Sequence, residues 1–233
     1  MDKLSLCKYL DEYHISFDEK QISNLLDLMD KTLATNESFN LTAIKDESSF
    51  LEKMIFDSAI AIIDTDLTNK KVIDVGTGAG FPGLVLYILN PECDMTLFDA
   101  TKKKIDYLNA YAKEKQYQIK TVNGRAEEFA LQNRDVYDYA FARAVSSLNI
   151  LLEIIIPMIK VDGYLIALKG KDAEIEIKSA KRALNEMGCV IEKINHFILP
   201  ESKEERNIIF IKKVKPTNPK YPRRYSQIKN KPL

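Results

Sequence analysis

The sequence predicts an α/β fold: a mostly parallel seven-stranded sheet with helices on both faces, one antiparallel strand, and helices ahead of the first strand. Three observations predict it. Between residues 71 and 188, five short apolar runs alternate with five amphipathic stretches, as in a parallel sheet assembled from strand–helix units. Two more apolar runs, VIEKINHFIL and RNIIFIKKV, are joined only by the turn LPESKEE, which permits an antiparallel pair but no parallel crossover. The first run, KVIDV, opens directly into the glycine-rich stretch GTGAGFPG.

The elements follow in order. Ile22, Leu25, Leu26, Leu28, Met29 and Leu33 recur on one side of a helix over about 18–34, the 3.6-residue period of an amphipathic helix. The polar loop TNESFNLTAI follows, and Asp46 is placed to cap a helix carrying Phe50, Leu51, Met54, Ile55 and Ala59. The strand–helix units are KVIDV with FPGLVLYIL, MTLFDA with KKKIDYLNAYAKEK, QIKTVNG with AEEFALQ, YDYAFARAV with LNILLEIIIPMI, and GYLIALK with AEIEIKSAKRALNEMG. The ending PTNPKYPRRYSQIKNKPL is Pro-rich and polar and is expected to lie outside the core. The chain thus divides into an N-terminal helical region (1–66), the sheet domain (67–215) and a basic tail (216–233). Internal repeats and low-complexity segments are absent.

Composition narrows the functional classes. A chain of 233 residues, 45% hydrophobic, can bury a full core. No apolar run approaches the roughly 20 residues of a membrane span, and MDKLSLCKYLDEY is too charged for a signal peptide. Cys7, Cys93 and Cys189 are widely spaced with no C-x-x-C, so reduced thiols in a cytoplasmic protein are expected, without zinc or disulfide chemistry. Formal net charge is zero, yet nine Lys/Arg and no Asp/Glu follow from Arg206 onward, leaving nine more acids than bases before it. A basic ending on an acidic body suits either a polyanion contact or a solvated terminus.

Ligands of such sheets sit at the carboxyl ends of the strands. That rule selects Asp74 to Gly80, Asp99, Gly124 to Glu127, Ala142 to Val145, and Lys169-Gly170. Two ligands compete for the glycines. Gly78 to Gly83 is formally G-x-G-x-x-G, but a dinucleotide site needs its glycines where the strand turns directly into the helix. Here the turn starts at Gly76, and the helix is expected near Pro82. A carboxylate at Asp74 would repel a pyrophosphate. It would instead orient the loop or meet the ammonium of a methionine moiety. Asp99 suits a ribose in either case. The S-adenosylmethionine reading therefore leads.

The segments FNLTAI (39–44), DVGTGAGFPG (74–83), LFDATKKKIDYLN (97–109), RAEEF (125–129), ARAVSSL (142–148), ALKG (167–170) and RNIIFIKKV (206–214) stand in one order and spacing. By them the chain resembles the RsmG (GidB) family, class I methyltransferases with a Rossmann-like fold, over nearly everything from about Phe39 onward. The resemblance implies S-adenosylmethionine as cofactor and 16S rRNA or the small ribosomal subunit as partner. It implies methylation at N7 of a guanine in the decoding-region loop. Gly76 and Phe81 would line the cofactor, in one loop with Asp74, Gly78 and Gly80. Asp99 would hold the ribose, Ala126 and Glu127 would sit beside the adenine, and Arg143 would project into the active site, in contact with cofactor and chemistry alike. A monomer without a metal site is expected. Two departures stand out: Met54 occupies the family's histidine in an H-x-x-D-S arrangement, with Asp57 and Ser58 retained, and Ser226 and Ile228 replace the usual Gly and Pro of the tail.

Guanine N7 carries a free lone pair and loses no proton on methylation, so alignment suffices and no general base is needed. His14 and His196 fall at no strand end facing the pocket and are read as structural. No Asn/Asp-Pro-Pro-aromatic turn follows the fourth strand, and no cysteine is placed as a nucleophile, which sets aside amino-group and pyrimidine-C5 methylation. Lys102, Lys103 and Lys104, and Lys220, Arg223 and Arg224 with Tyr221 and Tyr225 between them, are candidates for RNA contact; the lysine triplet reads equally as a solvated helix face. An NAD-linked oxidoreductase using the same loop and a non-catalytic RNA-binding protein are the competing functions.

Overall fold

The structure is a computed structural model and describes residues 1–38 and 40–233; Phe39, the first residue of FNLTAI, lies outside the described residues. Asp2 caps α1 (Lys3–Glu12) through Ser5 N. Asp18 and Gln21 form a reciprocal capping box at the start of α2 (Glu19–Asn36), satisfying two N-terminal donors at once. Gln21 also donates to Ile88 O and Leu89 O, both at 3.1 Å. It thereby fastens the helical region to the sheet domain. Asp46 caps α3 (Glu47–Phe50) as expected.

From there the helix widens into a π-helical turn (Leu51–Phe56) before α4 (Asp57–Ala59). In an α-helix the Asp57 N–H would bond to Lys53 O. Here it bonds to Glu52 O, which frees the Lys53 carbonyl for another partner.

The sheet domain comprises β1 (Lys71–Val75), α5 (Gly83–Leu89), β2 (Asp94–Asp99), α6 (Lys102–Lys115), β3 (Lys120–Asn123), α7 (Ala126–Gln132), β4 (Tyr137–Arg143), α8 (Leu148–Ile155), β5 (Ile159–Lys169), α9 (Ala173–Ser179), α10 (Lys181–Met187), β6 (Cys189–Ile198) and β7 (Glu205–Lys213); α11 (Tyr225–Asn230) ends the chain. The seven strands form one sheet in the order β3-β2-β1-β4-β5-β7-β6. β7 is antiparallel to both its neighbours. It is last in the chain but not at the sheet edge, since it slots between β5 and β6. The order reverses between β1 and β4, so a crevice opens there at the strands' carboxyl ends.

Side-chain alternation along the strands divides the core in two. Val72, Leu97, Phe141 and Ile166 face the N-terminal helices together with Phe50 and Ile55. Ile73, Val75, Phe98, Ala140, Leu165 and Ile209 face α8 and α10. The tail corrects the sequence reading: Tyr221, Ile228 and Leu233 are buried in this second layer. Glu153 on α8 is fully buried, and Arg223 meets it with two parallel bonds of 2.7 and 2.6 Å. A buried carboxylate requires such a partner, so Arg223 is committed to the fold. Lys220 likewise lies 3.6 Å from Glu186.

Candidate active site

The glycine loop is held to the end of β2 by backbone. Gly76 N and Thr77 N both donate to Phe98 O, at 2.8 and 3.0 Å. Gly76, Gly78 and Gly80 all take positive φ, of 76°, 60° and 100°, a conformation costly for residues with a Cβ. At Gly76 space also forbids a side chain, because a Cβ would lie 2.5 Å from Val145 Cγ2.

Asp74 ends inside the protein, fully buried, with Oδ2 accepting from Gly83 N at 2.8 Å. Of the two roles open to it, orienting the loop is the one built in. That bond also occupies the first N–H of α5, the donor on which a dinucleotide phosphate would depend. A Cβ at residue 83 would come within 2.3 Å of Leu97 Cδ2 and 2.8 Å of Asp74 Oδ2. Gly83→Ala is therefore expected to lose about 1–3 kcal/mol through overpacking, read as a lower urea midpoint with an unchanged slope.

Burial pushes the Asp74 carboxyl up to about 6, against the opposing pull of the Thr77 hydroxyl and the Gly83 N–H. Unfolded, it ionises near its ordinary 3.8, so between 3.8 and 6 the folded state holds the extra proton. Stability then falls as pH rises through this window, by about 3 kcal/mol in all. Asp74→Asn cannot ionise and should lack that loss. Urea denaturation of both proteins from pH 4 to 7 checks this, and a constant difference between them would contradict it.

Asp99, at the end of β2, accepts from Gly78 N at 2.9 Å and Thr101 N at 2.8 Å. One carboxylate thus joins the loop to the start of α6. Each oxygen keeps a further lone pair for a ligand hydroxyl. Ala126 opens α7, and Glu127 beside it is buried and bonded to Arg125 Nε at 3.2 Å. Arg125 in turn stacks at 4.4 Å on the Tyr225 ring of the tail. Phe81 is buried under the loop, edge-on to Phe50 at 5.4 Å. Lys102 pairs with Asp106, and Lys104 Nζ lies 3.9 Å from where a Gly78 Cβ would be.

Arg143 closes β4 and points toward the N-terminal helices. Its Nη1 donates to Lys53 O at 2.9 Å, the carbonyl freed by the π turn, and lies 3.4 Å from Asp57 Oδ2; its Nη2 lies 3.3 Å from Met54 Sδ. Met54, at the family's histidine position, therefore abuts the expected active-site arginine. The guanidinium also stands 5.9 Å from the Phe81 ring centre. Asp57 Oδ2 accepts a second guanidinium bond, from Arg206 Nε at 3.0 Å. Arg206 bonds Glu204 as well, and Glu204 takes Lys53 Nζ. Burial lowers the Arg143 pKa, and Asp57 opposes the shift.

These side chains line a cleft of about 750 Å³ with Ile44, Val145, Lys169 and Glu176. Val145 both lines the cleft and touches Gly76, so loop and cleft share a wall. The structure thus gathers Asp74, Gly76, Gly78, Gly80 and Asp99 into one loop region, brings Ala126 and Glu127 to its rim, and sets Arg143 across Val145 in the cleft. Sequence reasoning overlooked Arg206 as a cleft residue. Its signal was a charge opening an apolar strand, RNIIFI. His14 follows α1 and His196 lies on β6, so neither is in the cleft. Burial pushes the thiols of Cys93 and Cys189 up to about 12, leaving both protonated at neutral pH. Among the described residues no cluster of His, Cys, Asp and Glu could hold a metal ion.

The loop fits S-adenosylmethionine. A Cβ at Gly124 would meet nothing nearer than Phe98 at 3.8 Å, and at Gly78 only the Lys104 ammonium. Open space therefore lies over two glycines flanking a carboxylate with lone pairs to spare. A glycine turn leaving β1, a carboxylate closing β2, an acid at the start of the helix after β3, and an inserted antiparallel β7 define a class I S-adenosylmethionine-dependent methyltransferase. Solved structures share the fold. TYW2 of M. jannaschii, solved with AdoMet, aligns with a TM-score of 0.58 at 14% identity over 74% of this chain and 80% of that one. A SAM-dependent methyltransferase from Aquifex aeolicus aligns at 0.55 with 17% identity, over 71% and 94%. The sequence narrows the class further. The family model GidB, rRNA small subunit methyltransferase G, matches residues 21–212, and this chain belongs to that family. It is 41% identical over 228 residues to Ribosomal RNA small subunit methyltransferase G of Caldanaerobacter subterraneus subsp. tengcongensis, covering 96% of this chain and 92% of that protein. With the protein of the same name from Acetivibrio thermocellus it shares 40% over 239 residues, covering 99% and 98%.

Proposed function

We propose that this chain transfers the methyl group of S-adenosylmethionine to N7 of a guanine in the decoding-region loop of 16S rRNA, as a monomer in the cytoplasm. The observation that carries this reading is the wall shared by the Asp99-anchored glycine loop and the arginine-lined cleft, in a chain of the GidB family. No helix among the described residues is long and apolar enough to cross a membrane.

When bound, S-adenosylmethionine supplies a methyl group on a positively charged sulfur. Asp99 would hold its ribose hydroxyls, the loop from Gly76 to Gly80 its methionine portion, and Ala126 and Glu127 would flank its adenine. The N7 lone pair forms the new N–C bond as the C–S bond breaks, and that electron pair returns to sulfur. Positive charge passes to the base and no proton moves. The chain must therefore orient and anchor rather than titrate.

Arg143 is the anchor. An arginine fork set against a guanine edge would engage O6 and N7 together and so obstruct the atom to be methylated. The guanidinium also repels the charge that develops on the base. Arg143 therefore takes a phosphate of the target nucleotide, its bidentate donors suiting that anion.

The dinucleotide alternative loses its phosphate seat to Asp74, as described above. A non-catalytic RNA binder would have no use for the intact loop and Asp99. Digestion of methylated small-subunit RNA to nucleosides tests the reading: 7-methylguanosine as the labelled product is expected, and label in any other nucleoside overturns it.

A further inference from the structure

Six of the eight glycines have a reason within the chain: Gly76, Gly78, Gly80 and Gly188 take positive φ, while Gly83 and Gly163 leave no room for a Cβ. Gly124 faces the cofactor loop. Gly170 has no such reason. Its backbone angle suits any residue, a Cβ would meet nothing within 4 Å, and it is exposed. Nor does it serve as a hinge, because its carbonyl is pinned by Asn207 Nδ2 at 2.9 Å. A glycine whose side-chain space is empty, held on a rigid strand end, suits a second backbone passing close by.

Its position says which one. Gly170 and Arg206 belong to two cavities at once: the Arg143 cleft and a neighbouring hollow of about 520 Å³ lined also by Lys171, Lys203, Glu204 and Glu205. The two form a continuous groove leading out from the site. Six bases and four acids line it, on a chain whose first 205 residues carry nine more acids than bases. Glu204 is held by Lys53 and Arg206, and Glu176 by Lys169. Glu205 is exposed. Lys171 and Lys203 stand exposed on the hollow, and neither forms an ion pair among the described residues; Lys203 Nζ donates to Pro200 O at 2.6 Å.

We propose that this groove is the track of the RNA strand next to the target nucleotide. Its sugar–phosphate backbone passes over Gly170, and Lys171 and Lys203 contact successive phosphates. The proposal rests on the RNA-methyltransferase reading and deepens it. It also moves the RNA grip away from the tail, whose Arg223 is committed to the buried Glu153.

The test measures binding and methylation of small-subunit RNA lacking the methyl group, across a salt series, with the full chain. Lys171→Ala with Lys203→Ala should reduce the slope of log affinity against log salt by about 1.4–1.8, two phosphate contacts' worth. Gly170→Leu should raise the KM for RNA tenfold or more while leaving S-adenosylmethionine affinity unchanged. The lysine pair is a surface change, so its result stands even if the leucine variant folds poorly. An unchanged slope in the lysine variant, with methyl transfer intact, overturns the track and leaves the reading of function in place. If the unsubstituted chain neither binds nor methylates this RNA, both fall.

Discussion

Arg143→Ala is expected to lower methyl transfer at saturating cofactor by about a hundredfold or more, the scale seen when a preorganised donor is removed. S-adenosylmethionine affinity should change by less than about threefold. The split follows from geometry: the guanidinium is fixed by Lys53 O and Asp57 in the cleft, across Val145 from the loop. Arg143→Lys should recover little, since one ammonium cannot reproduce the fork. Asp57 retains Arg206 as a partner in either variant, so the fold should survive. Calorimetry for the cofactor and single-turnover kinetics for the transfer check the prediction. Equal losses in both would place Arg143 on the cofactor instead.

Asp99→Ala should show the opposite pattern, with S-adenosylmethionine binding weakened about a hundredfold. The substitution removes the ribose acceptor and also takes from Gly78 N–H and Thr101 N–H the carboxylate that joins the loop to the start of α6. Asp99→Asn keeps one acceptor oxygen and should lose about tenfold. Binding of both variants by calorimetry, with a thermal melt as control for the fold, separates the ligand effect from loop collapse. An affinity left unchanged in the asparagine variant would mean that the carboxylate serves the loop alone.

Much of this architecture was legible in the sequence because it is local. The five strand–helix units, the helix over about 18–34, the cap at Asp46, the glycine turn and Asp99 all depend on short-range periodicity and backbone chemistry. What was not legible depends on distant pairing. A short hairpin between β6 and β7 does not say which strand meets β5, and β7 took the inner place. The helix after β4 ended sooner than its apolar run suggested, with β5 beginning at Ile159. The polar look of the tail concealed Tyr221, Ile228 and Leu233. The clue to its docking lay elsewhere, in Glu153, a lone acid within the apolar run LNILLEIIIPMI. The π turn presenting Lys53 O to Arg143 leaves no mark in side-chain pattern, since it is a shift of one backbone hydrogen bond. Met54 shows the same limit: the sequence marks a departure from the family, and only the structure places its sulfur against the arginine.

The most direct test of the account is methyl transfer from labelled S-adenosylmethionine to small-subunit RNA taken from cells lacking this gene. Borohydride and aniline then cleave the product at 7-methylguanosine. The account expects one cleavage, in the decoding-region loop, absent with Arg143→Ala. Label without cleavage, or cleavage elsewhere in the RNA, would contradict it.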